Sequence, residues 1–175
     1  MSRVLKIASF LAVIAAILVN PAVPRARADT GNGPASSLPM AAAPQACSWG
    51  WTITGYYLPQ QSDFDSFEDF MSAVVMQGSG QLEDGTFIDF NGYLQPQPKT
   101  TMGVPVKEGM VAFDPNYFPF GTTFWINGKR YVGTDTGAAI VGAHLDVYTG
   151  IGKDAEQRAY DTTGFNQYVC WAVPR

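Results

Sequence analysis

The sequence predicts a mainly β domain that closes, or nearly closes, into a barrel. Three observations carry this reading. Short runs have the residue pattern of strands, turn-forming residues separate them, and two cysteines stand near the ends of the folded part. Residues 51–57 (Trp-Thr-Ile-Thr-Gly-Tyr-Tyr) form the first run, which stops at Pro59. A hairpin is predicted where residues 80–82 meet residues 86–90 across Glu83-Asp84-Gly85. Residues 110–113 are a short apolar run halted by Asp114-Pro115-Asn116. Residues 122–126 and 130–134 flank Asn127-Gly128-Lys129, and Asn-Gly between two β-rich runs is the strongest hairpin signal in the chain. Residues 144–148 and 167–173 complete the strands.

Helix is scarce. Residues 64–75 carry apolar side chains at Phe64, Phe67, Phe70, Met71 and Val74, the spacing of one amphipathic helix, with Asp63 or Asp65 as its expected cap. Residues 153–160 suit a second, shorter helix. There is no internal repeat, and 175 residues bound a single domain.

Residues 1–28 read as an export signal. Arg3 and Lys6 precede an apolar run over residues 7–19, and Ala26-Arg27-Ala28 offers a small-x-small cleavage site before Asp29. The run is shorter than the roughly 20 residues that span a bilayer, an uncleaved anchor being the alternative. Residues 29–46 are rich in Gly, Pro, Ala and Ser and cannot bury enough apolar surface to offset chain entropy. They are expected to form a disordered linker before a folded domain at 47–175. The expected product is a soluble, periplasmic or secreted monomer with no membrane contact after cleavage.

Cleavage removes four basic residues and no acid, leaving seven basic against fifteen acidic residues, a charge of −8. Such a chain has no electrostatic footprint for nucleic acid and no long-range steering toward an anionic polymer. In an oxidising compartment Cys47 and Cys170 are expected to pair, two buried thiols being the alternative. The closed loop would contribute roughly 4–5 kcal/mol on the chain-entropy model.

Composition also limits the chemistry. A single histidine, His144, excludes a His-rich metal site and makes a Cys/His zinc cluster implausible. No serine follows Ser79 to complete a Ser-His-Asp set. No Gly-rich loop leads from a strand into a Lys-Ser or Lys-Thr helix. No metal or cofactor is expected. His144 and Asp146 share one strand face at i and i+2, which suits a ligand pair, although a surface histidine is the commoner case.

Carboxylates remain. Asp114, Asp135 and Asp146 each stand where a predicted strand begins, ends or turns. Asp before Pro, and Asp-Thr-Gly, are common turns. Asp146, between Leu145 and Val147, is awkward on a strand unless its carboxylate meets a partner or a cleft. Burial beside apolar groups raises a carboxyl pKa, and a raised pKa is what a general acid near neutral pH requires.

These residues resemble a known family. Ala112-Phe113-Asp114-Pro115, Pro119, Gly121-Thr122, Thr134-Asp135-Thr136-Gly137-Ala138-Ala139-Ile140 with Gly142, and Asp146 with Tyr148 are similar to the three-aspartate (3D) domain. That domain forms the catalytic part of membrane-bound lytic transglycosylase A and of stationary-phase muralytic proteins. Upstream, Thr54-Gly55-Tyr56-Tyr57 with Pro59, and Gln77-Gly78-Ser79-Gly80 with Asp84-Gly85, resemble the transglycosylase pattern, so the likeness spans about residues 51–171. It implies a six-stranded double-psi β-barrel with one or two short helices and a small insertion.

The resemblance also implies a peptidoglycan lytic transglycosylase that cleaves the MurNAc–GlcNAc β-1,4 bond and leaves 1,6-anhydro-MurNAc. By position Asp146 matches the acid/base, with Asp135 and Asp114 as supporting aspartates. Thr54, Tyr56, Tyr57, Thr136, Gly137, Ala138 and Tyr148 are the expected contacts to glycan strands. The alternative is a noncatalytic, expansin-like wall-binding barrel. This sequence departs from the family at Ala138, where a second glycine is usual, and at Val141, where a basic residue is common. Only residues 60–97 stand where the transglycosylase carries a second domain, which implies a shallower groove.

Overall fold

The computed structural model describes residues 43–174; the expected export signal and residues 29–42 of the expected linker lie outside the described residues. Strand β1 (Ala46–Leu58) leads through a 3-10 turn (Gln61–Asp63) to helix α1 (Phe67–Gln77). Three short strands follow: β2 (Ser79–Gln81), β3 (Phe87–Asp89) and β4 (Leu94–Gln95). The chain continues through β5 (Met110–Phe113), β6 (Thr123–Ile126), β7 (Lys129–Asp135) and β8 (His144–Ile151) to helix α2 (Lys153–Thr162) and β9 (Gly164–Ala172).

Six strands close a barrel in the order β1-β8-β5-β7-β6-β9, while β2, β3 and β4 form a separate small sheet. β1 runs parallel to β8 and β5 parallel to β7; the other barrel pairings are antiparallel. This closed, mixed, six-stranded barrel is the architecture the resemblance implies. Strand alternation fills its interior with Trp51 and Ile53, Val111 and Phe113, Phe124 and Ile126, Leu145 and Val147, and Val169. The β6–β7 turn needs left-handed backbone at two successive residues, and Asn127 (φ 50) and Gly128 (φ 77) supply it. A disulfide between Cys47 and Cys170, which face each other across β1 and β9, ties the seam that closes the barrel.

Several boundaries differ from the sequence reading, each for a local reason. α1 starts at Phe67 because Ser66, not Asp63 or Asp65, caps it: the Ser66 hydroxyl accepts from Asp69 N at 3.1 Å. Asp63 belongs to the preceding 3-10 turn. β1 begins at Ala46, ahead of Trp51, because residues 46–48 pair with residues 169–171 of β9. β4 was not expected, since a two-residue strand carries no periodic signal.

α2 packs onto β1 at Gly55, where a Cβ would lie 2.6 Å from the Ala159 Cα. Gly55→Ala is therefore expected to push the helix off the barrel at a cost of roughly 1–3 kcal/mol. Urea unfolding checks this, and an unchanged midpoint would show that the helix yields freely.

Candidate active site

Strand register gathers the site. Thr54 on β1 pairs with Asp146 on β8, Asp146 with Ala112 on β5, and Ala112 with Asp135 on β7, so four neighbouring strands present one row. Leu145 and Val147 point into the core, which turns Asp146 to the opposite face of the sheet. That alternation explains an aspartate between two apolar residues. Ala112, the small member of the row, separates the two carboxylates.

A cleft of about 800 Å³ is lined by Thr54, Tyr56, Ala112, Asp135, His144 and Asp146. The loop over residues 136–140 forms part of its wall, and Val75, Met76, Gln77, Gly78 and Phe90 of the insertion form the rest. Thr136, Gly137 and Ala138, expected at the substrate, all line it, with the Ala138 methyl on its exposed rim. Val141 is exposed to solvent and is not part of the lining.

Asp146 is half-buried, and the Thr54 hydroxyl donates to its Oδ1 at 2.6 Å. Burial pushes its carboxyl above the ordinary aspartate value, and Asp135 nearby adds to the rise. The Thr54 hydrogen bond and the His144 charge oppose it. No protein donor among the described residues reaches Oδ2.

Asp135 is bonded differently. Its Oδ1 accepts from Thr101 N (2.9 Å), Thr101 Oγ1 (2.8 Å) and Thr136 N (2.9 Å). Its Oδ2 faces the Tyr56 hydroxyl at 3.5 Å, a long contact. Burial, then the charges of Asp135 and Asp146, raise the Tyr56 pKa, so this phenol stays a donor.

Asp114 is not part of the cleft lining. Its Oδ2 accepts from Gly142 N at 2.8 Å, and its Oδ1 from Asn116 N (2.9 Å) and Asn116 Nδ2 (3.0 Å). It thus ties the end of β5 to the far end of the 136–142 loop, and the Gly142 bond, followed by the Asn116 bonds, holds its carboxyl below the ordinary value. A depressed folded pKa gives stability that is complete above the unfolded value and lost as pH falls through the folded one. Asp114→Asn should therefore be destabilised at neutral pH, with the gap to the parent closing in acid. Urea midpoints against pH measure this; a gap that persists in acid would contradict it.

Two expected contacts lie elsewhere. Tyr57 packs on Ala155 and Ala159 of α2, because it follows Tyr56 on the opposite face of β1. Tyr148 stacks behind Tyr56 (centroids 5.3 Å apart) and lines a different cavity with Glu108, Arg130 and Arg158. Two further residues belong to the site. His144, taken for a surface residue, lies in the cleft with Nε2 3.0 Å from Thr54 Oγ1. Its i, i+2 relation to Asp146 was the available signal. Thr101, which holds Asp135 from an irregular segment, had none.

Asp114, Asp135 and Asp146, with the strands that carry them, all fall within one recognisable unit. Residues 109–167 match the 3D domain family. The matched residues carry β5 to β8 and α2, while β1 and the insertion come from sequence ahead of them. Among solved structures the chain is similar to E. coli MltA with bound chitohexaose, with TM-score 0.57, 19% identity, and 71% of this chain and 72% of that chain covered. A second E. coli MltA structure, described as a unique lytic transglycosylase fold, gives 0.51 and 17% over 71% and 72%. A third gives 0.50 and 18% over 70% and 72%. At such identities the likeness establishes a shared fold and nothing further. No curated protein matches the sequence.

Proposed function

We propose that this protein is a lytic transglycosylase that cleaves the MurNAc–GlcNAc β-1,4 bond of peptidoglycan and releases 1,6-anhydro-MurNAc ends. One observation carries the reading. Of the three aspartates, only Asp146 combines a place in the cleft with an oxygen that no protein donor occupies. A carboxyl with one oxygen open to the cleft, its pKa raised by burial, suits a reaction in which one group gives a proton and then takes one.

Protonated Asp146 gives its proton to the glycosidic oxygen as the bond to C1 of MurNAc breaks, and GlcNAc leaves with a free 4-hydroxyl. Positive charge develops at C1. The Asp146 carboxylate then removes the proton from the sugar's own 6-hydroxyl, and O6 bonds to C1. Asp146 ends protonated, ready for another cycle, with no water consumed. Ordinary glycosidases need a second carboxylate as nucleophile or base. Asp135 is bound by three donors and suits a fixed negative charge that stabilises the cationic sugar. The Tyr56 hydroxyl and the 136–138 loop are placed to orient the glycan.

The reading is supported by the likeness to E. coli MltA, which is described as a lytic transglycosylase fold and which in one structure has chitohexaose bound. The disulfide is consistent with an exported protein acting on the wall outside the cytoplasm. Mass spectrometry of peptidoglycan digested with the purified protein tests the proposal. Muropeptides lighter by one water than hydrolysed ones are expected. Reducing ends would indicate a hydrolase, and strands bound without products a noncatalytic barrel.

A further inference from the structure

We propose that His144 is a positioning residue: through Thr54 it fixes which Asp146 oxygen accepts a hydrogen bond and therefore which oxygen carries the catalytic proton. The inference rests on the transglycosylase reading and on hydrogen-bond geometry. Thr54 Oγ1 lies 2.6 Å from Asp146 Oδ1 and 3.0 Å from His144 Nε2. A hydroxyl has a single hydrogen and two lone pairs. Its hydrogen goes to Asp146 Oδ1, the shorter contact. Lone pairs on Thr54 and on an unprotonated Nε2 would repel, so His144 must bring its own Nε2–H to the hydroxyl.

Each link then has one direction: His144 donates to Thr54, and Thr54 donates to Asp146 Oδ1. A proton placed on Oδ1 would have to turn the Thr54 hydroxyl around and strip Nε2 of its hydrogen. The carboxyl proton therefore rests on Oδ2, the oxygen without a protein partner among the described residues. Register builds this chain, because Thr52 faces His144 and Thr54 faces Asp146 along the parallel β1–β8 pair. The other titratable groups of the cleft are Asp135 on β7 and Tyr56 on β1, and α1 contributes only Val75, Met76 and Gln77. Asp135 and Tyr56 are engaged with each other, which leaves His144 as the titratable group that reaches the acid through Thr54.

The chain has one histidine, so ¹⁵N-histidine labelling gives an unambiguous signal that needs no turnover. The folded protein should show the proton on Nε2, and Thr54→Val should release it to a tautomer mixture while Thr54→Ser retains it. His144→Phe should lower kcat roughly ten- to a hundredfold with little change in KM. The alkaline limb of its pH profile should move upward, because the Thr54 hydroxyl, no longer held toward Oδ1, favours ionised Asp146 less. An Nδ1–H tautomer in the parent protein, or a slowed His144→Phe variant with an unmoved pH profile, overturns the proposal. An Nε2–H signal lost in Thr54→Val, in a protein that makes no anhydro product, overturns the transglycosylase reading and supports the positioning role.

Discussion

Asp146→Asn is expected to lower the rate of anhydro-muropeptide formation by roughly a thousandfold or more, within the range general acid–base catalysis contributes. Asparagine keeps the shape of the side chain and can still accept from Thr54. It cannot donate a proton to a leaving oxygen or recover one from the 6-hydroxyl, so both halves of the reaction fail together. No other carboxylate can substitute. Asp135 is tied to Thr101 and Thr136, and Asp114 lies behind the loop with both oxygens bonded. The same substitution should make the protein more stable at neutral pH. Burial raises the folded pKa of Asp146, so this group's contribution to stability is full below the unfolded value and is lost as pH rises through the folded one. Melting temperatures in acid and at neutral pH should show the variant's advantage only in the latter. A variant that retains cleavage would remove Asp146 from the mechanism, whatever its stability.

Replacing Cys47 and Cys170 by serine, or reducing the disulfide, should cost about 5 kcal/mol on the chain-entropy model for the observed separation of 123 residues. The bond connects β1 to β9 at one end of the seam that closes the barrel, so opening it frees both chain ends of the domain together. The β1–β9 pairing can still form through its backbone, and the row from Thr54 to Asp135 is held by the β1–β8, β8–β5 and β5–β7 pairings, none of which the disulfide bridges. The reduced protein should therefore unfold at much lower denaturant yet cleave glycan under mild conditions. Unfolding followed with and without reductant decides it. Coincident transitions would mean that the barrel closes without help from the crosslink.

The barrel was legible because its strands obey a two-residue period. Trp51 and Ile53, or Leu145 and Val147, alternate with polar neighbours, and Asn127-Gly128 marks a hairpin that only left-handed backbone can make. Asp146 announced itself by breaking the apolar run around it. Other features depend on contacts between distant segments. Tyr56 and Tyr57 are chemically alike, and only the face of β1 that each occupies sends one to the cleft and the other to α2. Asp114, part of the same motif set as Asp135, became a loop fastener because Gly142 happens to reach it. The shared face of His144 and Asp146 is visible in the sequence, but the contact of His144 with Thr54 depends on the β1–β8 pairing. Thr101 sits in an irregular stretch without periodicity, so its hold on Asp135 had no local trace.

The part of the cleft wall formed by Val75, Met76, Gln77 and Phe90 comes from chain that leaves β1 after Leu58, builds α1 and the small sheet, and returns before β5. None of those wall residues supplies a hydrogen bond to Asp146, Asp135 or Asp114. Groove depth and the hydrogen bonds of the three carboxylates are therefore encoded in separate stretches of sequence. A longer excursion at this point can deepen the groove, and a shorter one can open it, while the Thr54–Asp146 pairing stays in place. Evolution, or an engineer grafting segments there, can reshape the wall while inheriting the strand register that places the carboxylates.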